Sequence, residues 1–300
     1  KLLIIISTAF FLEVDASQRI GCNMSYSKNH LLWALQFLCI ISLLNPMLNA
    51  TVKAHEFWLE PSDYNPQTGT SIGITLLVGQ NFEGNPQPFI QSNINDFRIL
   101  TKKNQFRISG RMGDSRPAAN VVITEGLSQI THLTEAFSIE FTNQEKWDNY
   151  IASDGLEAQI KRPKSRQKVP ITERYIRSAK TLILSSDTSE VFKDKPTGLP
   201  FELILTSPTD QWTKGSHLFT LNLHGNPISG VLVKAFSHKK KLMVSKAITN
   251  QLGEARLQLP TDDVYLISGV HIEPDPQSKS DWKSFWASLT LSIKKKMQTD

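Results

Sequence analysis

Leu218-Phe219-Thr220-Leu221-Asn222-Leu223, then His224-Gly225-Asn226-Pro227, then Val231-Leu232-Val233-Lys234-Ala235-Phe236 reads as two short apolar runs around a turn. β-branched and large apolar residues fill the runs. Gly, Asn and Pro, which favour tight turns or interrupt a hydrogen-bond ladder, fill the break. The pattern recurs downstream and upstream. Phe201–Thr206, Leu218–Leu223, Val231–Phe236, Met243–Thr249, Glu254–Leu259, Tyr265–Ile272 and Phe285–Ile293 are seven predicted strands, with Asn250-Gln251-Leu252-Gly253 as another turn. Seven short strands over about 95 residues have the dimensions of an immunoglobulin-like sandwich.

The first half follows the same logic. Ser71–Gly79, Asp96–Leu100, Gln105–Ser109, Val121–Thr124 and Phe137–Phe141 are predicted strands, and Thr101-Lys102-Lys103-Asn104 is a hairpin-length loop between two of them. Thr142-Asn143-Gln144-Glu145 has the form of a capping box, and Trp147, Tyr150 and Ile151 follow at helical spacing, with Gly155 as a stop. Lys161–Pro170 reads as a basic exposed loop. Ile171–Leu184 begins with helical spacing and ends as an apolar strand, which leaves its type open. Ser185–Leu199 has little to bury and marks a boundary. The expected fold is mainly β: two β-sandwich units, immunoglobulin-like or jelly-roll-like, over residues 55–190 and 199–294, with one short helix in the first.

Residues 24–54 have the layout of a secretory signal peptide: Lys28 in the n-region, the apolar Leu31–Leu44, and small residues at Ala50 and Ala54. Residues 1–23 read as upstream in-frame translation, a longer leader or a retained anchor being the alternatives. Cleavage after Ala54 would start the mature chain at His55; cleavage after Ala50 would start it at Thr51. Cys22 and Cys39 both precede either site, so thiolate metal sites and disulfides are excluded from the mature protein. The formal charge of +5 falls to about +3 once residues 1–54, with four basic and two acidic residues, are removed. That balance, with only the short runs Lys239–Lys241 and Lys294–Lys296, gives no nucleic-acid surface. The expected location is the periplasm, with no membrane span in the mature chain.

No nucleophile elbow, His-Glu-x-x-His, Walker loop or dinucleotide glycine pattern occurs, so catalysis is not expected. The mature histidines are His55, His132, His217, His224, His238 and His271. As an N-terminal residue, His55 would chelate a metal through its amine and ring. His271, in Val270-His271-Ile272-Glu273-Pro274, has Glu273 and Asp275 near enough in sequence to orient it. Nitrogen ligands without thiolate suit Cu(II), Ni(II) or Zn, with affinity highest for Cu(II), and binding should weaken below about pH 6 as imidazole protonates. His132 and His224 read as polar-face residues, and His238 as part of a lysine-rich hairpin loop. Phe57/Trp58 and Trp282/Phe285/Trp286 read as core, and Asp281 and Ser284 could pin a turn.

Several segments carry a resemblance. Ala54-His55-Glu56-Phe57-Trp58-Leu59-Glu60-Pro61, Gly79-Gln80-Asn81-Phe82-Glu83-Gly84, Gly198-Leu199-Pro200-Phe201-Glu202-Leu203, Gly225–Gly230 and Asp281–Thr290 resemble the bacterial DUF4198 family. The resemblance implies an exported periplasmic β protein, of a kind often labelled a periplasmic component of cobalt or nickel uptake. The second half is also similar to transthyretin-like and collagen-binding B-type modules, which bind or space other proteins. The expectation is therefore a non-enzymatic metal-handling accessory protein that holds Cu, Ni or Co through His55 and His271 and feeds a membrane uptake complex. The alternative is an envelope binding or scaffolding module with a protein or glycan partner and no metal.

Overall fold

Two small sheets pack on opposite faces of one large sheet. The computed structural model describes residues 56–160, 168–260 and 262–293, which fall in one compact unit, Lys53–Asp300. In chain order the elements are β1 (Glu56–Pro61), β2 (Ser71–Gln80), β3 (Glu83–Gln87), β4 (Ile94–Leu100), β5 (Gln105–Arg107), β6 (Ala119–Val122), β7 (Leu127–Thr134), β8 (Phe137–Phe141), the helix α1 (Gln144–Ser153) and β9 (Ile171–Leu184). Then come β10 (Phe201–Leu205), β11 (Ser216–Leu223), β12 (Asn226–Pro227), β13 (Leu232–Ser237), β14 (Leu242–Ile248), β15 (Glu254–Gln258), β16 (Asp263–Pro274) and β17 (Trp282–Ile293). The fold is mainly β, with sandwich packing and one short α-helix among the described residues.

The large sheet has nine strands. Its order is β14-β13-β16-β17-β9-β7-β4-β5, with β8 also paired to β9. The expected halves are joined inside it, because β9 pairs in parallel with β17 from Trp282↔Glu173 to Thr290↔Thr181. Partners across a ladder point to the same face. Phe285, Ala287, Leu289 and Leu291 of β17, with Leu182 of β9, therefore face the sheet of β10, β11, β12 and β15. Ala179 and Ile183 of β9 face the other way, toward the sheet of β1, β2, β3 and β6.

Burial on both faces is why Ile171–Leu184 gave no clear period. An alternating strand shows one apolar face; a strand covered on both sides does not. It forms one 14-residue strand. The same reason hid β7, whose Ser128, Thr131, His132 and Thr134 are all buried despite being polar. The expected boundary is also packed: Asp194, Thr197 and Leu199 are buried against the large sheet.

Local chemistry explains the recurrent motifs. Asn81 and Phe82 both have positive φ, 52° and 62°, in the tight turn between β2 and β3. A Cβ on Gly84 would lie 2.5 Å from Cη2 of the fully buried Trp58, so the glycine admits the indole. At the helix, Asn143 rather than Thr142 is the cap, its side chain accepting from Lys146 N at 3.1 Å. Trp147, Tyr150 and Ile151 turn inward, as their spacing required.

Candidate functional site

His271 lies on β16 directly across from Phe285. Both face the small sheet of β10–β12, and Phe201 completes the surround with its ring centroid 6.3 Å from His271. The His271 Nδ1 is buried without a hydrogen-bond partner, and Nε2 stands 3.7 Å from a Glu273 carboxylate oxygen. Burial lowers the pKa of His271 below the ordinary value, against the pull of Glu273. The ring is thus neutral at pH 7, the state that ligates metals.

Its surroundings are less suited to a cation. Lys283 Nζ sits 4.4 Å from the Phe285 ring centroid, and the edge of His224 meets the same ring at 5.3 Å. Asp275, expected to assist His271, instead takes a 2.9 Å hydrogen bond from Arg174 and another from Ser278. Those bonds hold its carboxyl below the usual range, the Arg174 contact contributing most. His55 lies outside the described residues. Its neighbour Glu56 bonds to Lys234, which stands on the opposite face of the large sheet from His271. Among the described residues no three His, Cys, Asp or Glu side chains are grouped to hold a metal.

Of the other histidines, His224 and His238 lie on exposed turns as expected, and His132 does not. His132 is no polar-face residue: it is 2% exposed, wedged between Phe57 and Phe97 with ring centroids at 5.2 and 5.1 Å. Neither of its nitrogens has a partner, and desolvation drives its pKa down to about 3. His217 is likewise fully buried. His224 is exposed on a turn with φ of 49°, and His238 packs its ring edge-on to Phe82. Phe57, Trp58, Trp282, Phe285 and Trp286 are all core residues, as their number in the sequence suggested. Asp281 does pin a junction, accepting from Thr172 N and Oγ1 at 2.9 Å each.

Sequence reasoning missed the charged groups that the fold takes inside. Lys180 donates to Asp194 and Glu202 at 3.0 Å each, all three side chains being buried. Lys234 donates to Asp154 at 2.6 Å and to Glu56 at 3.4 Å, tying β13 to the helix C-terminus and to β1. Glu173 accepts from Tyr150 Oη at 3.1 Å and from Ser284 Oγ. These groups are scattered in sequence, and no local pattern signals that they meet.

Exposed apolar side chains lie beside positive charge at both outer strands of the large sheet, Phe106 of β5 beside Lys102, Lys103 and Arg107, and a longer set on β14. β14 is the last strand of the large sheet; among the described residues its ladder partner is β13, and Gln258 N of β15 donates to Ser245 Oγ at 3.0 Å. β14 exposes Leu242, Met243 and Ile248, and the following turn exposes Leu252, with Ile248 67% accessible. Lys240, Lys246 and Arg256 are exposed around them. A shallow cleft elsewhere is lined by Lys102, Asn104, Glu125, Glu190 and Phe192, and Lys102 closes it with a 2.7 Å bond to Glu190.

A domain of unknown function, DUF4198, matches residues 52–273, about three quarters of the chain. No curated protein matches. Among solved structures the chain is similar to the D0-D1 domain of intimin at 11% identity, over 79% of this chain and 98% of that one, with a TM-score of 0.20. That likeness is too distant to bear on function. No described helix is long and apolar enough to cross a membrane.

Proposed function

The chain belongs to the DUF4198 family, and from that premise we propose that it is a non-enzymatic binding module of the cell envelope whose partner is another protein. The observation that supports this is the outer strand β14. Its apolar side chains lie beside an unpaired strand edge, the arrangement by which an extended peptide adds to a sheet. Exposed Lys240, Lys246 and Arg256 repel a second copy of the same edge and favour an extended segment bearing apolar and acidic side chains.

A photo-cross-linking residue at Ile248 tests this in cells. A discrete adduct is expected, weakened when Lys240 and Lys246 are both changed to Glu, and absent with the cross-linker at Val122, an exposed residue of β6. No adduct at position 248 would remove the basis for the proposal.

A metal-handling role is the second reading, favoured by the neutral, part-buried ring of His271 beside Glu273. These two residues supply only part of a ligand set, and His55 is a separate candidate, since Lys234, which holds its neighbour Glu56, stands on the opposite face of the large sheet from His271. Titrating Ni(II) and Cu(II) into protein starting at His55 separates the two ligands. The reading expects His55→Ala and His271→Ala each to weaken binding by about tenfold or more, the cost that losing even an outer-shell partner of a ligand carries. Unchanged affinity in His271→Ala would exclude His271.

A further inference from the structure

The helix α1 is not part of any sheet; it is held by side chains. Tyr150 stacks on Trp286 with ring centroids 5.9 Å apart, Trp147 lies 6.3 Å from Trp282, and Phe141 of β8 stacks on Tyr150 at 5.6 Å. In the middle of this apolar seam sits one carboxylate, Glu173 of β9, 2% exposed. It accepts from the Tyr150 hydroxyl of the helix and from Ser284 of β17, which in turn accepts from Trp286 Nε1 at 3.0 Å. A buried carboxylate is stable when neutral and costly when charged, unless a cation faces it.

The groups facing it leave that cost only partly offset. From the helix come Tyr150 and the acidic Asp154, whose charge opposes ionisation of Glu173. Asp154 is itself bound by Lys234 of β13, which also holds Glu56 of β1. From its own strand come Tyr175 and Arg177, with the Arg177 guanidinium over the Tyr175 ring at 4.8 Å and a weaker attraction toward Glu173. From β17 come Ser284 and Trp286, and from β8 the apolar Ile139, Glu173's ladder partner.

We propose that this seam is a pH-operated clasp: protonated Glu173 fastens α1 to the large sheet, and ionised Glu173 loosens it, uncovering the aromatic surface of Trp147, Tyr150, Trp282 and Trp286. The environment places the switch near neutrality, because burial pushes the carboxyl up to about 7. Opening exposes it to water, where it titrates near its ordinary value of 4.5. A carboxyl with its pKa raised in the closed state stabilises closure fully below the open-state value and loses that stabilisation as pH rises through the closed-state value. Between pH 5 and pH 8 the opening constant of the helix should therefore rise roughly 70-fold.

Hydrogen exchange of the α1 amides, corrected for the intrinsic pH dependence of exchange, reads this directly. In the unmodified protein their protection should fall about 70-fold from pH 5 to pH 8, while the amides of β16 and β17 keep theirs. Glu173→Gln keeps an acceptor for Tyr150 and Ser284 without the charge, and its α1 protection should change by no more than about threefold over that range. Ser284→Ala serves as a second variant where the first does not fold. Removing a donor to the carboxylate should shift the transition to higher pH. An unmodified protein with no pH response in α1, or the same response in Glu173→Gln, would overturn the clasp. So would an unmoved transition in Ser284→Ala.

Discussion

Lys180→Met is expected to destabilise the protein by about 3–5 kcal/mol, the usual cost of removing one partner from a buried charge network. Lys180 is the ammonium between Asp194 and Glu202, and the three side chains are 1%, 0% and 3% exposed. Burial pushes the Asp194 carboxyl upward, and Lys180 opposes that shift. Remaining acceptor capacity is filled by the chain itself. Leu205 N donates to Asp194 at 2.8 Å, and Thr197 N and Oγ1 donate to Glu202 at 2.9 and 2.8 Å. Methionine keeps most of the volume and leaves two carboxylates without their cation. Urea unfolding at pH 7 should show a lower midpoint at unchanged slope. Adding Asp194→Asn and Glu202→Gln to the same chain should recover most of the loss, since no buried charge then remains. A loss below about 1 kcal/mol in the single variant would mean that the network is not holding residues 194–202 to the sheet.

His132→Leu is expected to flatten the acid limb of the stability curve. The folded-state pKa of His132 is about 3, against an ordinary 6.5. Because the value is depressed, the folded protein keeps this contribution in full above the unfolded-state pKa. It loses stability as pH falls from 6.5 toward 3, where the unfolded chain binds a proton that the native ring refuses. At pH 4.5 the loss from this one group is about 2–3 kcal/mol relative to pH 7. Leucine fills the gap between Phe57 and Phe97 and removes two buried nitrogens without partners. Urea midpoints of the two proteins at pH 7 and pH 4.5 check it: the drop on acidification should be smaller in the variant by about that amount. Equal drops would show that His132 takes up its proton in the folded state.

Both effects arise where polar residues sit inside, and there the sequence was least legible. The strands of the second half follow from alternation and turn residues, because each has one face on a core. β7 was overlooked because Ser128, Thr131 and His132 look like solvent-facing residues but are buried. β9 was ambiguous for the same kind of reason: a strand covered on both faces shows no period of two. Of the proposed metal residues, His271 could be found by scanning for histidines near carboxylates, yet its neighbour in space is Glu273 alone and not Asp275. The β14 edge was visible as a strand, but not as an outer one.

The sequence by itself determined a β protein with sandwich packing, one short helix, an aromatic core and membership of its family. Those properties depend on local spacing, turn chemistry and composition. Only the tertiary structure decided that the two halves share one sheet, that Lys180, Lys234 and Glu173 meet their partners inside it, and that β14 is left at its border. The parallel pairing of β9 with β17 joins residues about 110 positions apart, and a ladder over that distance is fixed by what both faces can bury, not by any neighbouring residues.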